Sequence, residues 1–145
     1  LITELTTDKS VIKSILCHPA IYATIAGDNT MPPEEFDPPL TDCEYLAGIV
    51  DGEPMALMVY HNVDDRLKVH VQVLPDYRHE YASLFGAAAM DYGKTKASEL
   101  YAEIPVCYPN VLQFAYDHGF EDIGVKEMAY TKRGMNYNVI ELRCN

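Results

Sequence analysis

Hydrophobic positions change period several times along this chain, and each change marks an element. Ile2–Thr6 alternates and is rich in β-formers, which predicts a first strand. Thr7-Asp8 then offers an N-cap, and Val11, Ile12, Ile15 and Leu16 recur at helical spacing. Pro19 ends that helix and can open a second, which carries Ile21, Tyr22 and Ile25. From Gly27 to Asp42 the pattern dissolves: Pro32, Pro33, Pro38 and Pro39 mix with Glu34, Glu35 and Asp37. That stretch reads as a loop or short irregular helix flanking a cleft. Tyr45–Val50 and Met55–Tyr60 are apolar strands separated by Asp51-Gly52-Glu53-Pro54, a strong hairpin signal. Leu67–Leu74 is a third consecutive strand. Leu67, Val69, Val71 and Val73 face one way, and Lys68, His70 and Gln72 the other.

A helix is predicted from His79 to about Ala97, with Leu84, Phe85, Ala88 and Tyr92 on one stripe. Leu100–Ile104 is another strand. Tyr108-Pro109-Asn110 opens a helix bearing Val111, Leu112, Ala115 and Tyr116, and Gly119 is placed to stop it in the left-handed region. Val125–Thr131 and Tyr137–Arg143 close the chain as strands turned at Lys132-Arg133-Gly134. One strand, two helices, three strands, a helix, a strand, a helix and two strands describe a single α/β (α+β) domain over residues 1–145. Its sheet is expected to be mixed and mostly antiparallel, with helices on both faces.

Composition narrows the functions. A chain of 145 residues with 48% hydrophobic and 23% charged side chains is one ordinary globular domain. The net charge of −11 argues against nucleic acid or an anionic membrane as partner. An acidic surface suits a cationic acceptor, or simply keeps the protein soluble. No apolar run reaches the roughly 18–20 residues of a membrane span, and Leu1–Leu16 has no signal-peptide pattern. Cys17, Cys43, Cys107 and Cys144 form no C-x-x-C pair and read as reduced thiols of a cytoplasmic protein. Cys107 is either a buried structural residue or a nucleophile.

The stretch with most chemistry is Val71-Gln72-Val73-Leu74-Pro75-Asp76-Tyr77-Arg78. A strand ends in a proline turn, an arginine sits at its tip, and a helix N-terminus opens behind it. Unpaired N–H groups and the helix dipole make such a place a seat for phosphate. Val73-Leu74-Pro75-Asp76-Tyr77-Arg78 resembles the strand end that leads into the CoA loop of the GNAT N-acetyltransferases. Ile49-Val50-Asp51-Gly52-Glu53-Pro54 resembles that family's hairpin between its second and third strands. Phe114-Ala115-Tyr116-Asp117-His118-Gly119-Phe120 resembles its late helix, which closes on Gly-Phe. The resemblance covers nearly the whole chain. Within the family it is most similar to short GNAT-like proteins of tailed bacteriophages, which would place the protein in a host cytoplasm.

The resemblance implies acetyl-CoA as acyl donor and a small-molecule or protein amine as acceptor. It implies cofactor contacts at Val73, Leu74, Arg78, Tyr81, Ala82 and Ser83. The family's loop reads Arg or Gln, two residues, Gly, one residue, then Gly or Ala. Here Arg78 is kept, Gly becomes Tyr81 and the last small residue becomes Ser83. If the Tyr81 ring points into the loop it fills the phosphate seat; if it points away the amides stay usable. A CoA polyanion would also need a basic island, for which Arg78, Lys94 and Lys96 are nearest in sequence. The transfer needs a base, an oxyanion donor and an acid for the thiolate. His70 and Glu103 are the candidate bases. The family's late-helix Tyr falls on Ala115, which leaves the adjacent Tyr116 as candidate acid, and the family's Asn at the start of this helix aligns with Tyr108. Two readings follow: an N-acyltransferase, or a catalytically silent GNAT-like accessory or assembly protein that binds a partner or a second copy.

Overall fold

The computed structural model describes residues Leu1 to Asn145. Its elements, in chain order, are β1 (Ile2–Leu5), α1 (Lys9–Leu16), α2 (Pro19–Ile25), β2 (Cys43–Val50), β3 (Glu53–Val63), β4 (Arg66–Val73), α3 (Pro75–Lys96), β5 (Leu100–Pro105), α4 (Pro109–Asp117), β6 (Glu121–Lys132) and β7 (Met135–Cys144). The order is the one the hydrophobic pattern predicts. Asp8 caps α1 through its carboxylate, which accepts from the Ser10 N–H at 2.9 Å. Pro19 opens α2 behind the His18 cap. Asp51 and Gly52 turn the β2–β3 hairpin at φ 51° and 80°, a pair of left-handed residues that a two-residue turn of this hand requires.

The strands form one sheet, ordered β1-β2-β3-β4-β5-β7-β6. All neighbours are antiparallel except β4 and β5. Helix α1 covers one face, where Ile12 and Ile15 pack on Tyr45, Ala47 and Leu57. Helices α3 and α4 cover the other, where Phe85, Ala89 and Ala115 join Leu46, Met58, Tyr60 and Val69 in the main core. Each buried strand face thus receives a helix, as the alternating pattern requires.

Three expectations are corrected. Helix α3 begins at Pro75, not His79, because proline's fixed φ suits the first helical position and Leu74 serves as the cap. Its inward stripe is Phe85, Gly86, Ala89, Met90 and Gly93, whereas Leu84 is 59% exposed. The small residues 86–89 carry too little size contrast to set the helical phase from sequence. The proline-rich segment does hold a short irregular helix, the 3-10 turn Pro33–Glu35, but it packs against α1 instead of lining the main cleft. Lys9 pairs with Asp37 at 2.8 Å, and the Cys17 thiol lies 3.7 Å from the Pro33 carbonyl.

The parallel seam is short. β4 and β5 pair only at Leu67↔Leu100 and Lys68↔Tyr101. Beyond those residues the strands run on to Val73 and Pro105 without pairing each other, so the sheet opens between them.

Candidate functional site

Where β4 and β5 part, the backbone of β4 has no strand partner on that side. The Leu74 N–H bonds the Met55 carbonyl at 2.9 Å, and the register sets Val73 opposite Ala56. In an antiparallel ladder, hydrogen-bonding residues alternate with residues that turn their polar groups outward. Val73 and Val71 are therefore residues whose N–H and C=O groups face the opening. Buried main-chain groups need partners, so this edge is a row of donors and acceptors waiting for an extended polar ligand. One of them is taken: the Arg78 Nε donates to the Val73 carbonyl at 2.9 Å.

The opening is a cleft of about 300 Å³. Its walls are mostly apolar, as small-molecule sites usually are, and include Val71, Ile104, Val111 and Phe114. The polar side chains in it are few. His70 and Gln72 come from β4, Glu103 from β5, and His118 from the C-cap of α4. Thr24 and Ile25 reach it from α2, while Gly86 and Met90 reach it from α3, so the gap is lined from both sides of the sheet.

His70 is open to water within the cleft while protein crowds its other sides. That crowding lowers its pKa below 6.5, and His61 adds to the effect, whereas Glu103 opposes it. A lowered pKa leaves the imidazole neutral at pH 7, in the form that accepts a proton. Glu103 is bonded by two ammonium groups, Lys68 at 2.9 Å and Lys126 at 2.6 Å. Burial pushes its carboxyl up, but the hydrogen bonds from the two lysines outweigh that and hold it below the usual range. A carboxylate so held is a weak base. The structure therefore brings both candidate bases to one cleft and differentiates them.

Tyr116 lies elsewhere. It is 40% exposed, and its hydroxyl donates to Asp122 at 2.7 Å outside the cleft. Ala115 occupies the cleft wall instead.

The cofactor-loop positions are not a loop. Because α3 runs unbroken from Pro75 to Lys96, Arg78, Tyr81, Ala82 and Ser83 all lie within it, and their N–H groups serve the helix. At the terminus itself Pro75 has no N–H, the Tyr77 N–H goes to the Leu74 carbonyl at 3.0 Å, and Asp76 already sets a negative charge in the first turn. Tyr81 points away from the cleft: its ring packs on the main core and lies 6.2 Å from Tyr77. Ser83 faces α4, where its carbonyl meets the His118 Nε2 at 3.3 Å, and Arg78 remains exposed at the strand end. The strand edge and cleft thus fit an acyl-pantetheine arm, whereas phosphates would rely on Arg78 and not on loop amides.

Sequence reading missed one cluster. The hydroxyls of Tyr108 and Tyr130 lie 2.7 Å apart, and both residues line the cleft. Lys132 donates to the Tyr108 hydroxyl at 2.9 Å and to the Ala23 carbonyl at 2.6 Å. Burial raises the pKa of both phenols, so they stay protonated at neutral pH. Tyr108 and Tyr130 are 22 residues apart in sequence, and no local spacing announces that they meet.

No protein-family model matches the sequence, and no curated protein sequence does. Solved structures do. Ribosomal-protein-alanine N-acetyltransferase from Brucella melitensis superposes with a TM-score of 0.79 at 16% identity, covering 99% of this chain and 98% of that one. A mutant of spermidine N-acetyltransferase from Vibrio cholerae gives 0.77 at 12% identity, covering 99% and 94%. An acetyltransferase of the GNAT family from Streptococcus pneumoniae gives 0.70 at 12% identity, covering 98% and 97%. The chain has the GNAT acetyltransferase fold across nearly its whole length. No helix is long and apolar enough to cross a membrane.

Proposed function

We propose that this protein is an N-acyltransferase that takes an acetyl group from acetyl-CoA and gives it to a primary amine. The observation that carries the reading is the unpaired β4 edge at Val71 and Val73 above an apolar cleft that His70 lines. A pantetheine arm is extended, carries amides, and would bond to that edge as a strand does. The thioester would then lie beside His70. His70 takes one proton from the bound ammonium and passes it to solvent, then takes the second as nitrogen bonds to the acyl carbon, and a β4 N–H meets the oxyanion. Arg78 receives a phosphate at the strand end. The acceptor is a cationic amine in solution, drawn by a surface of net charge −11. A protein alanine and spermidine are the acceptors to test first, since structures of this fold carry those names.

A second reading, a catalytically silent domain that acts by binding another protein, is favoured by one observation: the phosphate-loop positions are absorbed into α3. Melting curves separate the two. Ligand at about 100 times its Kd adds roughly 2.7 kcal/mol of stability, a shift of a few degrees for a domain of this size. With millimolar acetyl-CoA the melting point should rise, and Arg78→Ala should reduce the rise. An unchanged melting point supports the silent domain.

A further inference from the structure

A thiolate leaving group needs a proton, and on α4 it is Ala115 that lines the cleft, while the Tyr116 hydroxyl is committed to Asp122 outside it. The only tyrosines lining the cleft are Tyr108, at the cap of α4, and Tyr130, on β6. We propose that the Tyr108–Tyr130 hydroxyl pair protonates the departing thiolate, with the negative charge coming to rest on the Tyr108 oxygen beside Lys132. This assignment rests on the acyl-transfer reading above.

A phenol gives up a proton readily only if the oxygen left behind is supported. Tyr108 Oη has two neighbours able to donate: Lys132 Nζ at 2.9 Å and Tyr130 Oη at 2.7 Å. Lys132 is held in place by its bond to the Ala23 carbonyl at the end of α2, and its ammonium also lies 5.3 Å from the centre of the Tyr108 ring. The hairpin that carries Lys132 is fixed as well. Asp28 accepts from the Arg133 and Gly134 N–H groups at 2.8 and 2.9 Å. Either hydroxyl can hand over the proton. If Tyr108 gives it directly, its phenolate is met by Lys132 and Tyr130. If Tyr130 gives it, Tyr108 passes its own proton on and becomes the same phenolate. In balance, the N–C bond forms, the C–S bond breaks, the amine proton leaves through His70, and sulfur takes the phenolic proton. Solvent then returns a proton to Tyr108. Amide and free thiol are the products, with no net change in the protein.

The test compares leaving groups. Tyr108→Phe keeps the ring and its packing but removes the hydroxyl. Hydroxylamine serves as a small acceptor that needs no specific pocket. With acetyl-CoA, Tyr108→Phe should lower kcat at least 100-fold with KM within about threefold of the unmodified protein. With p-nitrothiophenyl acetate, whose thiolate leaves without a proton, the loss should shrink below about threefold. Lys132→Met should show the same dependence on leaving group, and Lys132→Arg should restore part of the rate. Tyr116→Phe should match the unmodified protein on both donors. Equal losses on the two donors, or an unaffected Tyr108→Phe, would overturn the assignment while leaving acyl transfer in place. If the unmodified protein neither transfers acetyl from acetyl-CoA nor is stabilised by it, the acyl-transfer reading falls and this assignment falls with it.

Discussion

Glu103 and His70 occupy neighbouring strands, and the charges around them set their chemistry apart. Two lysines hold the carboxylate ionised, while crowding and His61 keep the imidazole neutral. Because the pKa of His70 is lowered, kcat/KM should stay flat as pH falls from 8 and drop only below 6.5, where the imidazole takes up a proton. Glu103 is the group that raises the His70 pKa. Glu103→Gln removes that influence and leaves Lys68 and Lys126 unneutralised, so the inflection should move to still lower pH. A pH–rate profile of both proteins, or a histidine NMR titration, reads the shift; an upward move would contradict the charge assignment. The alternation of β4 makes His70 legible in the sequence, and the place of Glu103 near the end of the next strand makes it legible too. Lys126 was not, because its partnership depends on β6 folding back along β7. The Tyr108–Tyr130 contact was hidden for the same reason.

At the scale of elements, the departure lies in one helix. A proline turn before an arginine looks in sequence like the edge of a loop, yet proline is also a good first residue of a helix, and here the helix wins. The local pattern could not decide between them, because His79–Ser83 is as compatible with a first turn as with a second. The α3–α4 seam has a firmer consequence. A Cβ on Gly86 would lie 2.6 Å from His118 Nε2 and 2.8 Å from Phe114 Cζ. The His118 ring has little room to move, since Nδ1 meets the Phe114 carbonyl at 2.9 Å and Nε2 meets the Ser83 carbonyl at 3.3 Å. Gly86→Ala gains about 1 kcal/mol of helix propensity against an overpacking cost of about 1–3 kcal/mol. The melting point should therefore fall by up to a few degrees, and fall less in a His118→Ala background. A raised melting point for Gly86→Ala alone would show that the seam yields.

At the scale of the molecule, the order of strands and helices was legible because each buried face keeps its period. The same arrangement persists in proteins only 12–16% identical to this one. Chemistry does not travel that way; it depends on single side chains such as Tyr81 and Ala115. The net charge of −11 is a property of the whole surface and repels a polyanionic donor at long range. Association of acetyl-CoA should accordingly speed up as salt rises from about 20 to 200 mM, over which range the Debye length shrinks to about 10 Å or less. Stopped-flow rates measure this, and a rate that falls with salt would point to a basic entry path.

The central claim is that the parted edge of β4 receives the donor through its main chain. Amide spectra of the labelled protein titrated with acetyl-CoA test it most directly. The Val71 and Val73 N–H signals should move and gain protection from exchange as the ligand saturates. If acetyl-CoA leaves both signals where they stand, the cleft is not its seat.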